Sequence, residues 1–178
     1  MNKAIFLDRD GTINEDKGYT NKIEYLEFTD SAILGLQKML RLDYKFIIIT
    51  NQSGIARGRF TEKDYFSFRD EMHKRLSENG IIITAEYFCP HHPQGKIKKY
   101  KMNCNCRKPK IGMLEQAAKD FELDFKKCWM IGDMPSDILA GKTAGCRTIQ
   151  VLTGKEKIES PEADFLAYNL FHASYFIS

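Results

Sequence analysis

The most constraining stretch of the chain is Ala4-Ile5-Phe6-Leu7 followed by Asp8-Arg9-Asp10-Gly11-Thr12. Four consecutive apolar residues read as a strand buried on both faces, the kind found in parallel sheets. Two carboxylates spaced i, i+2 point the same way in extended chain, and Gly11 lets the backbone turn sharply behind them. Ligands of open parallel sheets bind outside the carboxyl ends of the strands. The two acids are therefore expected to stand in a site, where like charges need a cation or a shared proton to coexist. The plainer alternative is a strand ending in an Asp-Gly turn with both acids solvated.

At 178 residues the chain is one domain's worth, 1–178, with enough length for one sizeable core. Its hydrophobic fraction of 43% and charged fraction of 29% exclude disordered and fibrous classes. A net charge of +3 does not argue for nucleic acid. No apolar run approaches a membrane span, and the first residues already read as a strand rather than a leader. The expectation is a cytoplasmic protein without membrane or nucleic-acid partners, monomeric, whose five cysteines are thiols or metal ligands.

Taken in order, residues 14–28 form a polar loop over the first strand end. Apolar residues at 33, 34, 36, 39, 40 and 42 predict a helix over 31–42, with Asp30 or Ser31 as cap. Tyr44 to Ile49 reads as a second buried strand ending in Thr50-Asn51-Gln52-Ser53-Gly54, at the same edge as Asp8 if the crossover is right-handed. Thr61 with Asp64 resembles a capping box opening a helix that Asn79-Gly80 stop. Ile81 to Phe88 is the next extended piece, and Ile111 to Phe121 a helix. Cys128 to Ile131 is a strand ending in Gly132-Asp133-Met134-Pro135-Ser136-Asp137, Ile138 to Ala144 a short helix, and Arg147 to Leu152 another strand. Residues 163–177 carry one short strand and a last helix. The alternation predicts a doubly wound α/β domain with a mostly parallel sheet.

Three strand ends thus carry polar clusters, Asp8/Asp10, Thr50/Asn51 and Asp133/Asp137, and Arg107-Lys108 precedes a helix. Acids that hold Mg²⁺, with a hydroxyl and a lysine to stabilise charge on a transferring phosphoryl group, are what phosphoryl transfer to a carboxylate requires. The set resembles the haloacid dehalogenase (HAD) superfamily of phosphatases, whose four motifs occur in order as Asp8-Arg9-Asp10-Gly11-Thr12, Thr50, Lys108 and Gly132-Asp133-Met134-Pro135-Ser136-Asp137. The resemblance implies a HAD-like doubly wound (Rossmannoid) parallel sheet. It implies Asp8 as nucleophile and Asp10 as general acid and base, with Thr50 and Lys108 binding phosphoryl oxygens. Mg²⁺ would sit on Asp8, the backbone carbonyl of Asp10, and Asp133, and Asp137 would orient Lys108 or the metal's water shell.

Residues 89–106 interrupt the α/β rhythm. Cys89-Pro90-His91-His92, a lysine-rich loop and Cys104-Asn105-Cys106 supply three thiols and an imidazole, a closed tetrahedral set for structural Zn²⁺. His91 is the preferred ligand and His92 a substitute; unrelated free thiols are the alternative. Cys128 and Cys146 read as small buried apolar residues. Lys96, Lys98, Lys99 and Lys101 read either as a draw for anionic substrates or, in preference, as a solvated loop face.

No insertion is long enough for a large cap domain, and small HAD phosphatases with a C-x-H…C-x-C loop include the D,D-heptose 1,7-bisphosphate phosphatases and the related histidinol-phosphate phosphatases. The run Thr50-Asn51-Gln52-Ser53-Gly54-Ile55-Ala56-Arg57-Gly58 resembles the heptose branch, as do Gly18-Tyr19 and Cys106-Arg107-Lys108-Pro109. That resemblance implies removal of the C7 phosphate from D-glycero-D-manno-heptose 1,7-bisphosphate, in surface-sugar (lipopolysaccharide) precursor synthesis. Histidinol phosphate or a broader set of sugar phosphates is the alternative. It also implies substrate contacts from Asp16, Lys17, Gly18, Tyr19, Thr50, Asn51, Gln52, Ser53, Arg107 and Lys108. Arg57, Arg59 and Arg107 are available bidentate donors for a second phosphate. Met134 departs from the branch, in which many members carry lysine after the motif-four aspartate.

Overall fold

Every residue of strand β1 (Ala4–Leu7) is buried because the strand runs through the middle of a six-stranded sheet with layers on both faces. The computed structural model describes residues 2–177; Met1 and Ser178 lie outside the described residues. The sheet order is β3-β2-β1-β4-β5-β6, with β2 Lys45–Asn51, β3 Ala85–Cys89, β4 Trp129–Gly132, β5 Arg147–Val151 and β6 Phe165–Ala167. All five pairings are parallel. Going along the chain, the sheet grows one way from β1 to β3, then restarts on the other side of β1 with β4. That reversal opens a crevice between the carboxyl ends of β1 and β4.

The period-2 alternation of strand side chains divides the interior in two. Ile5 and Leu7 join Ile48, Trp129, Ile131 and Ile149 on one face, beneath Leu36 and Met39 of α1 (Ala32–Met39), Phe68 and Met72 of α3 (Glu62–Glu78) and Leu170 of α6 (Leu170–Ala173). Ala4 and Phe6 join Ile47, Ile49 and Met130 on the other, beneath Met113, Leu114 and Ala117 of α4 (Gly112–Phe121) and Ala140 of α5 (Pro135–Ala144). A one-turn helix, α2 (Ser53–Ala56), follows β2 directly. Cys128 and Cys146 are buried in the second layer, as their apolar reading expects.

Several elements differ from the sequence reading at their ends: β2 carries its ladder through Thr50 and Asn51, read as the start of a turn, and the 31–42 helix ends as α1 at Met39, with a 3-10 turn at Leu40–Leu42. The edge strand β3 begins at Ala85, opposite Ile47, rather than at Ile81: Ile81 is buried in the core but its backbone has no ladder partner until β2 is alongside. Helix α5 starts three residues early, because Pro135 sits in its first turn, where a missing N–H costs nothing. Neither Asp30 nor Ser31 caps α1; Ser31 occupies the position in the left-handed region (φ 58°), and Asp30 instead accepts from Asn169 beside α6. The Thr61–Asp64 capping box on α3 is formed in both directions. Among the described residues no helix is long and apolar enough to cross a membrane.

Candidate active site and thiol cluster

Asp8 is the first residue past β1, and its N–H still donates to Ile131 O at 2.9 Å, so the sheet fixes it against the end of β4. The chain then turns at Gly11, where φ is +82° and a β-carbon would stand 2.5 Å from Asp133 Oδ2. Only glycine satisfies both demands. Asp133 follows Gly132 at the end of β4, and its carbonyl accepts from Gln150 Nε2 at 2.9 Å. Asp137, in the first turn of α5, accepts from the Met134 N–H with one oxygen and faces Lys108 with the other.

Lys108 is buried and spends its three ammonium protons on three oxygens: Asp8 Oδ1 (2.6 Å), Ile49 O (2.6 Å) and Asp137 Oδ1 (2.7 Å). Asn51 holds the Lys108 backbone from both sides, donating to its carbonyl at 3.1 Å and accepting from its N–H at 3.0 Å. The sequence reading gave Asn51 only to the substrate; its amide also positions the lysine. Burial first, with Asp137 next among the raising influences, pushes Asp8 up to about 7 against the pull of Lys108. Burial, then Asp8 and Asp137, pushes Asp133 up to about 9. Two buried carboxyls that resist ionising side by side are suited to a divalent cation. Oxygens of Asp8, Asp133 and Asp137 all lie within 4.8 Å of one another.

The Asp10 carboxylate stands outside that trio. It accepts from Arg9 (2.9 and 3.0 Å), Asn14 (3.0 Å) and Gln52 (2.9 Å). Arg9 is itself fully buried, donating to Thr20 O and lying over Phe68. These contacts fix the direction of Asp10. Gln52 also donates to Thr50 Oγ1 at 2.9 Å, linking the second strand end to the first.

A cleft of about 480 Å³ opens over these groups. Asp8, Asp10, Asp16, Gly18, Tyr19, Thr50, Asn51, Gln52, Ser53, Arg107, Lys108 and Asp133 all line it, so all but one of the residues that the resemblance assigned to catalysis, substrate or Mg²⁺ converge there. The exception is Lys17, which pairs with Glu27 at 2.8 Å and faces a neighbouring groove. Gly54 and the motif-four residues Met134, Ser136 and Asp137 also line it, and Lys155 and Glu156, which the sequence reading missed, complete the lining. For the last two the available signal was position alone: they follow the carboxyl end of β5, the same sheet edge. Arg57 and Arg59 stay off the lining, Arg57 against His92 Nε2 (3.0 Å) and Arg59 over the Tyr19 ring. The four loop lysines are exposed and also stay off it.

The thiols form a second centre. Cys89 Sγ lies 3.4 Å from Cys104 Sγ and 3.0 Å from Cys106 Sγ, and Cys104 and Cys106 are 3.2 Å apart. His91 Nδ1 completes the set, 3.4 Å from Cys106. All four ligand atoms lie within 4.8 Å of one another, and none of the cysteines is bridged. Contact with Cys89 first, against burial, holds Cys106 below the usual thiol range, at about 5. Three sulfurs and one imidazole nitrogen are the donor chemistry of a closed zinc site. His92 is turned away, toward Arg57.

A parallel sheet with its acids at the switch point, a buried lysine on the leading aspartate and no inserted cap among the described residues define a HAD-like hydrolase. A family profile described as HAD-hydrolase-like matches residues 105–172. A protein of Photorhabdus laumondii named D-glycero-alpha-D-manno-heptose-1,7-bisphosphate 7-phosphatase is 45% identical over 176 residues, 98% of this chain and 96% of its own. One of Pasteurella multocida, named D-glycero-beta-D-manno-heptose-1,7-bisphosphate 7-phosphatase, is 46% identical over 87% of this chain and 84% of its own. The crystal structure of a D,D-heptose 1,7-bisphosphate phosphatase from B. bronchiseptica, complexed with magnesium and phosphate, superposes with a TM-score of 0.86 at 28% identity, covering 99% of this chain and 97% of that one. The chain belongs to the heptose-1,7-bisphosphate 7-phosphatase family of HAD-like phosphoric monoester hydrolases.

Proposed function

We propose that the protein hydrolyses the C7 phosphate of D-glycero-D-manno-heptose 1,7-bisphosphate through an aspartyl-phosphate, acting as a monomer on a soluble sugar phosphate in the cytoplasm. The observation that carries the reading is the constellation of Asp8, Asp10, Lys108 and Asp133 in one cleft, in a chain 45% identical along nearly its whole length to a protein named for that reaction. Asp8 attacks phosphorus in line. Its carboxylate is aimed by Lys108 and by the β1–β4 ladder, so the reacting pair is oriented before substrate arrives. Asp10, held by Arg9, Asn14 and Gln52, gives a proton to the leaving sugar oxygen. It then takes one from the water that opens the acyl phosphate. Thr50 and Lys108 hold phosphoryl oxygens.

The buried carboxyls of Asp8 and Asp133, with the carbonyl of Asp10, would hold Mg²⁺. When bound there, it would neutralise charge between carboxylate and phosphate. Asp137 stays with Lys108. Cys89, His91, Cys104 and Cys106 would hold Zn²⁺ in a structural role, four protein ligands leaving no open position.

The test is phosphate release with Mg²⁺ from the alpha and beta heptose bisphosphates beside histidinol phosphate. Preference for a heptose bisphosphate by at least about tenfold in kcat/KM is expected, together with loss of turnover in Asp8→Asn at unchanged fold by circular dichroism. Preference for histidinol phosphate, or an active Asp8→Asn, would overturn the reading.

A further inference from the structure

Six acids and three cations line the cleft, a poor balance for a substrate that is itself anionic at both ends. Lys108 is committed to Asp8, Asp137 and the end of β2. The two cations left over are Arg107, beside the thiol loop, and Lys155, beyond β5; among the described residues neither pairs with a carboxylate. Arg107 also keeps a buried nitrogen, Nη1, without a partner.

Lys155 is not a stray surface lysine. The two residues before it are tied to the catalytic turns: Thr153 Oγ1 donates to Gly11 O at 2.7 Å, and Gly154 packs so closely on Asp133 that a β-carbon there would meet its Oδ2 at 2.1 Å. The lysine therefore leaves the backbone at a fixed point above the acids while its own side chain stays exposed. Across the cleft it meets the substrate loop, where a β-carbon on Gly18 would lie 3.9 Å from Lys155 Nζ. The ammonium thus spans from the end of β5 to the loop after β1, over the mouth of the cleft rather than at its floor.

We propose that Lys155 is a specificity residue that binds the phosphate that is not transferred, from the side of the cleft opposite Arg107. The proposal rests on the bisphosphatase reading above. A cation at the mouth acts on the distal end of the substrate, since the reacting phosphate is met at the floor by Lys108 and Thr50. Met134 offers no charge at the motif-four turn, so the β5 loop is the available source of one.

Lys155→Ala and Lys155→Arg are compared with wild type on heptose 1,7-bisphosphate and on heptose 7-phosphate, which lacks the anomeric phosphate. The preference for bisphosphate over monophosphate should fall about tenfold or more in Lys155→Ala, mainly through KM, and return to within about threefold of wild type in Lys155→Arg. Melting temperatures should coincide, because the side chain is exposed. Equal losses on both substrates, or no loss on either, would overturn the assignment. A wild type with no preference for the bisphosphate would instead overturn the substrate reading, and with it this role for Lys155.

Discussion

Lys108 and the acids around it form a group whose protonation and metal content are coupled. Burial holds protons on Asp8 and Asp133 up to about 7 and about 9, whereas in the unfolded chain both would be lost near pH 4. Over that window the folded, metal-free protein binds more protons than the unfolded chain, so its stability falls as pH rises. Mg²⁺ held by these acids, as proposed, would replace those protons. The rise in melting temperature caused by Mg²⁺ should therefore be larger at pH 8.5 than at pH 6, and should vanish in Asp133→Asn. Scanning fluorimetry at the two pH values measures it; an equal shift at both would mean that the acids are ionised without the metal. The individual acids were legible in the sequence because strand ends and Asp-Gly turns leave a clear signature. That Asn51 would clamp the Lys108 backbone was not, since residues far apart in the chain meet only when β2 and the segment before α4 are side by side.

Between β3 and α4 the thiol loop joins an edge strand to a cation. Cys89 is the last residue of β3, and Cys106 immediately precedes Arg107 and Lys108. Besides the thiols, the loop is held by Lys96 and Ile97 N–H donating to Ala56 O, by Gly112 N–H donating to Asn105 O, by Arg57 against His92, and by Tyr100 packed on Ile55, Phe60 and Tyr65. If the four ligands hold the proposed Zn²⁺, a strong chelator or Cys104→Ser should lower kcat/KM by about tenfold or more while circular dichroism keeps the strand and helix signal. Restored activity on adding Zn²⁺ to the chelated wild type, but not to Cys104→Ser, completes the test. The strands with continuous apolar runs, β1, β2 and β4, and the capped helix α3 were legible because local pattern and burial agree. The start of β3 and the missing cap on α1 were not, because pairing register and the docking of the tail decide them.

Across the whole molecule, residues 169–177 close the structure rather than trail from it. Leu170 is fully buried in the layer that holds Leu36 and Met39, Asn169 binds Asp30, and Lys38 sits 2.8 Å from the centre of the Tyr175 ring. Leu170→Ala should cost about 3 kcal/mol in urea unfolding and leave kcat at 25 °C near wild type, because α6 is not among the elements that line the cleft. A loss below about 1 kcal/mol would mean that the tail is docked only loosely. The sequence reading placed a strand and a helix in this tail but could not see that they cover α1.

Having no inserted cap among the described residues also separates two kinds of change. Asp8 and Asp133, the groups proposed to act on the phosphate, are pinned by the ladder between β1 and β4, whereas the other cleft residues stand on short segments at 16–19 and 153–156 and where β2 passes into α2. A lineage could therefore exchange its sugar by altering a handful of loop positions, one at a time, with the phosphate-cleaving apparatus inherited intact.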